Sequence, residues 1–307
     1  MAAKDLITLA RAYQDLTGVA GVDSLLQTLI TAVSDAIAKY CRRDFVARSY
    51  DELYSGHGGR KLVLRAYPIQ SVQSVRYRPV TVLKVTNTNP ANVQARVSVT
   101  ASGLTLVRVS GGAAATATVA FAGNATLTAL AAAVSALGNG WSAQVVGDAT
   151  NYGAWPSADL YVPPSWGDGT SSQGALQCVA GSFAELKLHT YELAGYQWDP
   201  RGWLLRAIPY TDPELVHPED LVWPTGVNNL RVQYTAGYTT VPEGVQEACA
   251  QWVARLYYQT LRDPAIQNTA SATSGGTAAS TSYAAPAPGA PPPAVAALLA
   301  PYRRIVV

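Results

Sequence analysis

The most regular pattern of apolar and polar positions lies between Leu230 and Arg262. Val232 and Tyr234 alternate with Arg231, Gln233 and Thr235, the two-residue period of a half-buried strand, and Gly237 follows as a residue able to turn the chain sharply. Pro242, through its preset φ, and Glu243, through its charge near the positive end of the helix dipole, suit a first helical turn, and Pro264 ends the helix. Inside it Val245, Ala248, Cys249, Trp252, Val253 and Leu256 fall at i, i+3, i+4, i+7, i+8 and i+11, one apolar stripe that needs a partner. Far upstream, Leu25, Leu26, Leu29, Ile30, Val33, Ala36, Ile37 and Tyr40 form a second stripe after the capping candidates Asp23 and Ser24. The two predict a shared core in which Leu26, Ile30, Val33 and Ile37 meet Val245, Cys249, Trp252 and Leu256.

Elsewhere the periods are shorter. Thr8 can cap a first helix carrying Leu9, Ala12, Tyr13 and Leu16, with Gly18 and Gly21 ending it. After Arg42 and Arg43 the pattern becomes β-like over 46–54, 62–65 and 72–77, with Gly56, His57, Gly58 and Gly59 marking a hairpin and Pro68 and Pro79 its exits. From Val82 the composition shifts to Ala, Val, Thr, Gly and Asn. Strands are expected over 93–99, 104–109, 116–121 and 141–146, with one helix at Leu127, Leu130, Ala131, Val134 and Leu137, the order of a small α+β module. Residues 147–182 form a loop rich in aromatics, including Tyr152, Trp155, Tyr161 and Trp166, which plug the module's own core or stack on a partner. Tyr196 to Arg206 reads as strand, turn and strand. The Ala, Ser, Thr, Gly and Pro content of 265–293 is that of a spacer.

A helical opening ITLARAYQDL, a helix ending IAKYCRRDF, a hairpin YSGHGGRKLVLRAYPIQSVQSV, a YQWDPRGWLLR segment, YTAGYTTVPEGVQEA and a final LLAPYRR occur in that order. Together they resemble the head-to-tail connector (adaptor) proteins of long-tailed double-stranded-DNA bacteriophages, over about residues 6–80 and 190–263 and the last few positions. The resemblance implies an α+β fold, a connector-type helical bundle with a small antiparallel β-sheet, here with an inserted small α+β, mostly β, domain and a flexible C-terminal tail. The expected division is 1–81 and 188–264 for the two parts of the connector core, 82–187 for the insertion, 265–293 for a flexible linker and 294–307 for a docking tail. It also implies a virion protein of the neck, assembled in the host cytoplasm. There a homo-oligomeric ring, typically of twelve copies, would sit beneath the portal protein, meet a tail or stopper protein, and let DNA pass without sequence-specific binding. The alternative is a tail or surface module whose insertion recognises carbohydrate or protein.

Composition narrows this further. Of 307 residues 49% are hydrophobic and only 14% charged, with a formal net charge of +2, so nothing pulls the whole chain towards nucleic acid. Low charge and the lack of a heptad repeat predict a free chain that associates weakly and forms its ring on the portal. Cys41, Cys178 and Cys249 lack a CxxC spacing and read as small core residues, and no run reaches a membrane span or a leader pattern. His57 stands alone among glycines. Glu214, His217, Glu219 and Asp220 lie in a proline-broken stretch where nothing positions them for acid–base work. No catalytic, cofactor or metal motif is present, so no enzyme and no cofactor are expected. The basic set Arg42, Arg43, Arg48, Arg60, Lys61, Arg65, Arg76 and Arg78 reads as the solvated face of a sheet or, less simply, as a nucleic-acid surface. Tyr302, Arg303, Arg304, Ile305, Val306 and Val307 are the expected portal-docking residues, an aromatic anchor, two charges and a β-branched end suited to strand addition. The competing reading folds Leu298, Leu299 and Ile305 back on the helices.

Overall fold

The computed structural model describes residues 4–16, 21–162, 173–207, 222–261, 268–272, 278–282 and 290–304. In chain order the chain forms α1 (Leu9–Gln14), α2 (Asp23–Cys41), β1 (Arg48–Gly56), β2 (Lys61–Val63), β3 (Ile69–Asn87), β4 (Asn92–Thr100), β5 (Gly103–Ser110) and β6 (Ala113–Ala120). There follow α3 (Leu127–Ala136), β7 (Trp141–Val145), α4 (Ala149–Gly153), β8 (Gln173–Gln177), β9 (Ala184–Glu192), β10 (Tyr196–Asp199) and β11 (Trp203–Arg206). The last elements are β12 (Gly226–Ala236), α5 (Glu243–Thr260), β13 (Asn268–Ala272), β14 (Ala278–Ser282) and α6 (Pro293–Leu299).

Strand residues outnumber helical ones, and this corrects the connector-type helical bundle expected from the sequence: the protein is mostly antiparallel β with few helices. The misreading has a physical source. Two long 3.6-residue stripes dominate the hydrophobic pattern, whereas the longest strand hides its own. β3 buries two neighbours, Val82 and Leu83, where its register against β9 shifts and its alternation changes phase, and it runs through Pro79, which pairs with His189 of β9. A proline read as a stop therefore lies inside the strand, where its missing N–H is tolerated.

The chain divides into two compact units. The first, Met1–Arg48, Arg65–Ile69 and Ala236–Val307, is built on α1, α2, α5 and α6. Leu26, Ile30, Val33, Ile37, Val245 and Cys249 are at most 1% exposed, Trp252 is 7% exposed, and Leu256 packs half-buried against the same cluster. Each such aliphatic side chain contributes roughly 1.5–3 kcal/mol by leaving water. The caps differ at the two ends of this unit. The Thr8 hydroxyl accepts from the Arg11 N–H and starts α1, but α2 begins at Asp23 itself, behind Val22 and without a side-chain cap. Ser34, buried on α2, accepts from the Leu6 N–H at 3.0 Å and fixes the segment ahead of α1. Arg11 of α1 reaches Glu247 of α5.

All three cysteines are buried and free. Burial pushes the Cys41 thiol up to about 11, although Arg43 and Arg303 oppose it, and pushes Cys249 up to about 12 against the Ser34 hydroxyl. At pH 8 the folded protein should therefore resist a thiol reagent at both positions, and denaturant should release them together. Labelling of either within the mixing time of the native protein would show that this core is open.

The second unit is Ser49–Leu64 and Gln70–Thr235. One sheet has the order β1-β12-β3-β7 with β9 also on β3, a second has β10-β11-β2, and a third has β6-β5-β4-β8. An apolar core draws every buried member from residues 82–188, among them Val97, Leu104, Leu106, Leu127, Leu130, Val134 and Leu186. The expected boundary at 81/82 falls inside β3, which runs on from Ile69 to Asn87. The β5–β6 hairpin closes on Gly111 and Gly112, with φ of 58° and 80°, the turn that matches strand twist and that side chains disfavour.

One buried ion pair ties this unit together. Arg231 on β12 is 2% exposed; its Nε and Nη2 donate to Asp51 of β1 at 2.9 and 2.7 Å, and Nη1 and Nη2 donate to the carbonyls of Asp159 and Tyr161 at 2.6 and 3.1 Å. Asp159 in turn accepts from Trp155 at 2.8 Å and from Arg76 of β3 at 3.2 Å. A fork with its donors filled on both sides suits a buried site in a way a lysine could not.

Candidate functional site

In the helical unit, four short stretches that lie far apart in sequence converge around Arg43. The chain leaves α2 through Arg42 in a left-handed conformation, φ 54°, a position usually held by glycine, with the Arg42 N–H bonded to Lys39 and the Arg43 N–H to Ala38. That turn delivers Arg43 into an aromatic cage. Its guanidinium carbon lies 4.0 Å from the ring centre of Tyr67, 5.2 Å from Phe45 and 5.3 Å from Tyr238, and Nη2 donates to the Tyr67 carbonyl at 2.9 Å.

Backbone pairing holds the cage. The Tyr238 N–H donates to Phe45 at 2.7 Å, the Ala47 N–H to Tyr238 at 3.1 Å and the Gly237 N–H to Pro68 at 2.9 Å. Gly237, at φ 113°, is required here, because a Cβ would lie 2.5 Å from the Val46 carbonyl oxygen and 2.7 Å from Ala47. Phe45 stacks on Tyr238 at 6.4 Å and meets the edge of Tyr302 at 6.1 Å.

The final described residues close the site. Val295 and Leu299 of α6 are buried in the helical core, the Arg304 N–H donates to Cys41 at 2.9 Å, and its Nη1 donates to the Arg65 carbonyl at 2.7 Å. Arg303 sits 4.9 Å over the Tyr40 ring, and Tyr302 packs over Gly244. Tyr302, Arg303 and Arg304 thus engage their own unit, while Ile305, Val306 and Val307 lie outside the described residues. We expect Arg43→Lys to lower the stability of this unit by about 1–2 kcal/mol, since a compact ammonium cannot stack on three rings. Equal denaturation midpoints for variant and parent would show the cage to be incidental.

Other candidates carry less. His57 is exposed in its turn, and Glu214, His217, Glu219 and Asp220 lie outside the described residues. Among the described residues no group of three or more His, Cys, Asp or Glu could hold a metal ion, and no helix is long and apolar enough to cross a membrane. The basic set is split between the units and is partly spent on local contacts: Arg48 pairs with Asp44, Arg76 with Asp159, and Lys61 lies 3.0 Å over the Trp203 ring. Tyr152, Trp155 and Tyr161 pack on the apolar core of residues 82–188, and Trp166 is outside the described residues. The Arg43 cage was missed in the sequence because its rings come from three distant segments; the signal was that each segment, CRRDF, RAYP and AGYTTVP, sets an aromatic beside a sharp chain reversal.

No family model and no curated protein matches this chain. Among solved structures it is similar to a chain of the "virion of native gene transfer agent (GTA) particle", at 12% identity and a TM-score of 0.40, over 98% of this chain and 91% of that one. A second is a chain of the "neck of empty GTA particle computed with C6 symmetry", at 13% identity and a TM-score of 0.35, over 100% of this chain and 94% of that one. At these TM-scores the likeness fixes neither fold nor role.

Proposed function

We propose that this protein is a structural component of the neck of a tailed, phage-like particle, forming a ring beneath the portal that joins the DNA-filled head to the tail and extends the DNA channel. One observation carries the reading. The stretches whose order resembles connector proteins, CRRDF, RAYP, AGYTTVP and PYRR, are remote in sequence and yet build a single site around Arg43. Chance matches scattered over the chain have no reason to meet. The work of such a protein is geometric: it presents a docking face at each end and a wall to passing DNA, without gripping it.

In this reading Tyr302, Arg303 and Arg304 are the anchor that fixes the tail on its own core, and the β-branched run Ile305, Val306 and Val307 is what reaches the portal, by adding to an exposed strand edge. Negative-stain imaging of the purified protein with and without portal tests the ring, which should appear on the portal. Removing 305–307 tests the tail. The shortened protein should melt like the parent and no longer join portals, and undiminished joining would overturn the assignment.

A further inference from the structure

We propose that the outer edge of β6 is a pairing site between copies of this chain, and that the strand it receives is the β13–β14 hairpin of a neighbour. The inference deepens the ring reading and rests on it. β6 reads AAATATVA, eight residues with no charge and no proline; only Val119 is buried, and it runs beside β5 without a bulge from Ala113 to Ala120. Among the described residues its other edge pairs with nothing, so alternate N–H and C=O groups face outward along its length.

The remaining sheet margins are protected in ways that β6 is not. β1 carries Arg48, Asp51 and Glu52; β9 carries Glu185, Lys187 and Glu192; β10 has four residues and ends on Asp199; β7 and β8 have five residues each. Charge and shortness are the usual defences of an edge against adding another strand, and the longest uncharged edge here has neither.

The hairpin has the complementary need. Asn268–Ala272 and Ala278–Ser282 pair through five rungs, Asn268 with Ser282 to Ala272 with Ala278, and among the described residues neither pairs with any other strand. Its strands read NTASA and AASTS, with no large apolar side chain to bury. A two-stranded sheet of that kind is marginal in water and gains from a third strand, and β6 is long enough to supply one. Symmetry then selects the occupant. Pairing β6 with β6 of another copy would be two-fold and stop at a dimer, whereas β6 with a neighbour's hairpin is head-to-tail and can close a ring.

The test cross-links full-length chains mixed with the portal, where the ring should form, using a short bis-maleimide, the native cysteines being buried. Thr116→Cys mixed with a size-tagged Ser280→Cys should give a mixed dimer that neither gives alone, and the double variant should give a ladder of multimers. Thr118→Lys, which puts a charge on the edge, should abolish both while melting like the parent. Homodimers of Thr116→Cys alone, an internally looped monomer of the double variant, links that survive Thr118→Lys, or no link at all would each overturn the proposal. Imaging on the portal separates the two readings: rings that form equally well with Thr118→Lys sink the edge contact and leave the ring, and no ring with the parent chain sinks the ring itself.

Discussion

Replacing Arg231 with leucine should cost the second unit about 3 kcal/mol, towards the low end of what breaking a buried ion pair costs. The loss has two parts. Asp51 loses the guanidinium and keeps only the Gln233 amide as a donor, and the carbonyls of Asp159 and Tyr161 lose donors where water is scarce. The Asp51 side chain is 21% exposed, which lets some water return and holds the figure down. Arg231→Lys should recover only part, because one ammonium cannot serve two carboxylate oxygens and two carbonyls at fixed angles. Denaturant titration measures it, and a double-mutant cycle with Asp51→Asn isolates the pair. A leucine variant within about 1 kcal/mol of the parent would mean that packing, rather than the fork, holds β1, β12 and the 159–161 segment together.

The second large effect belongs to the helical unit. Trp252→Ala removes the largest side chain from the core shared by α2 and α5 and should cost about 3–5 kcal/mol, transfer and cavity terms together. Since the chain forms two compact units, its unfolding need not be one step, and the two substitutions should move different transitions. The tryptophan variant lowers the midpoint of the helical unit, read by far-ultraviolet circular dichroism at 222 nm. The Arg231 variant lowers the other. A single transition shifted equally by both would show that the units unfold together.

What the sequence disclosed followed from the kind of signal each element carries. α2 and α5 were legible because a stripe of large apolar residues over five turns has few alternative explanations, and their ends lay within three residues of those expected. β4, β5 and α3 were legible for the same reason, each being a run with one period and a glycine or turn at its ends, whereas β6, with Val119 alone buried, begins three residues before the expected 116. β3 was not, because a register shift between Thr81 and Leu83 interrupts its alternation and Pro79 imitates a stop. Nor was the β13–β14 hairpin, whose Ala, Ser and Thr composition is the same as that of a spacer. The buried role of Arg231 was hidden for another reason: alternation assigned it to the polar side of its strand, and only the fold reveals that this side is covered. The overall balance of strand to helix failed because a resemblance resting on helical motifs said little about the residues between them.

The length of β3 bears on how the protein would carry load. β3 runs for nineteen residues, with Arg78 in a left-handed conformation at φ 64° and a register shift between Thr81 and Leu83, and it is laddered to β9 from Arg76 to Val85 and to β7 from Leu83 to Asn87. A pull along its axis strains many of those rungs at once, as in shear, and they must fail together. A pull at the Gly111–Gly112 tip opens the β5–β6 ladder one rung at a time, like a zip, at far lower force. A pull along β3 and a pull at the tip of the β5–β6 hairpin would therefore meet very different resistance.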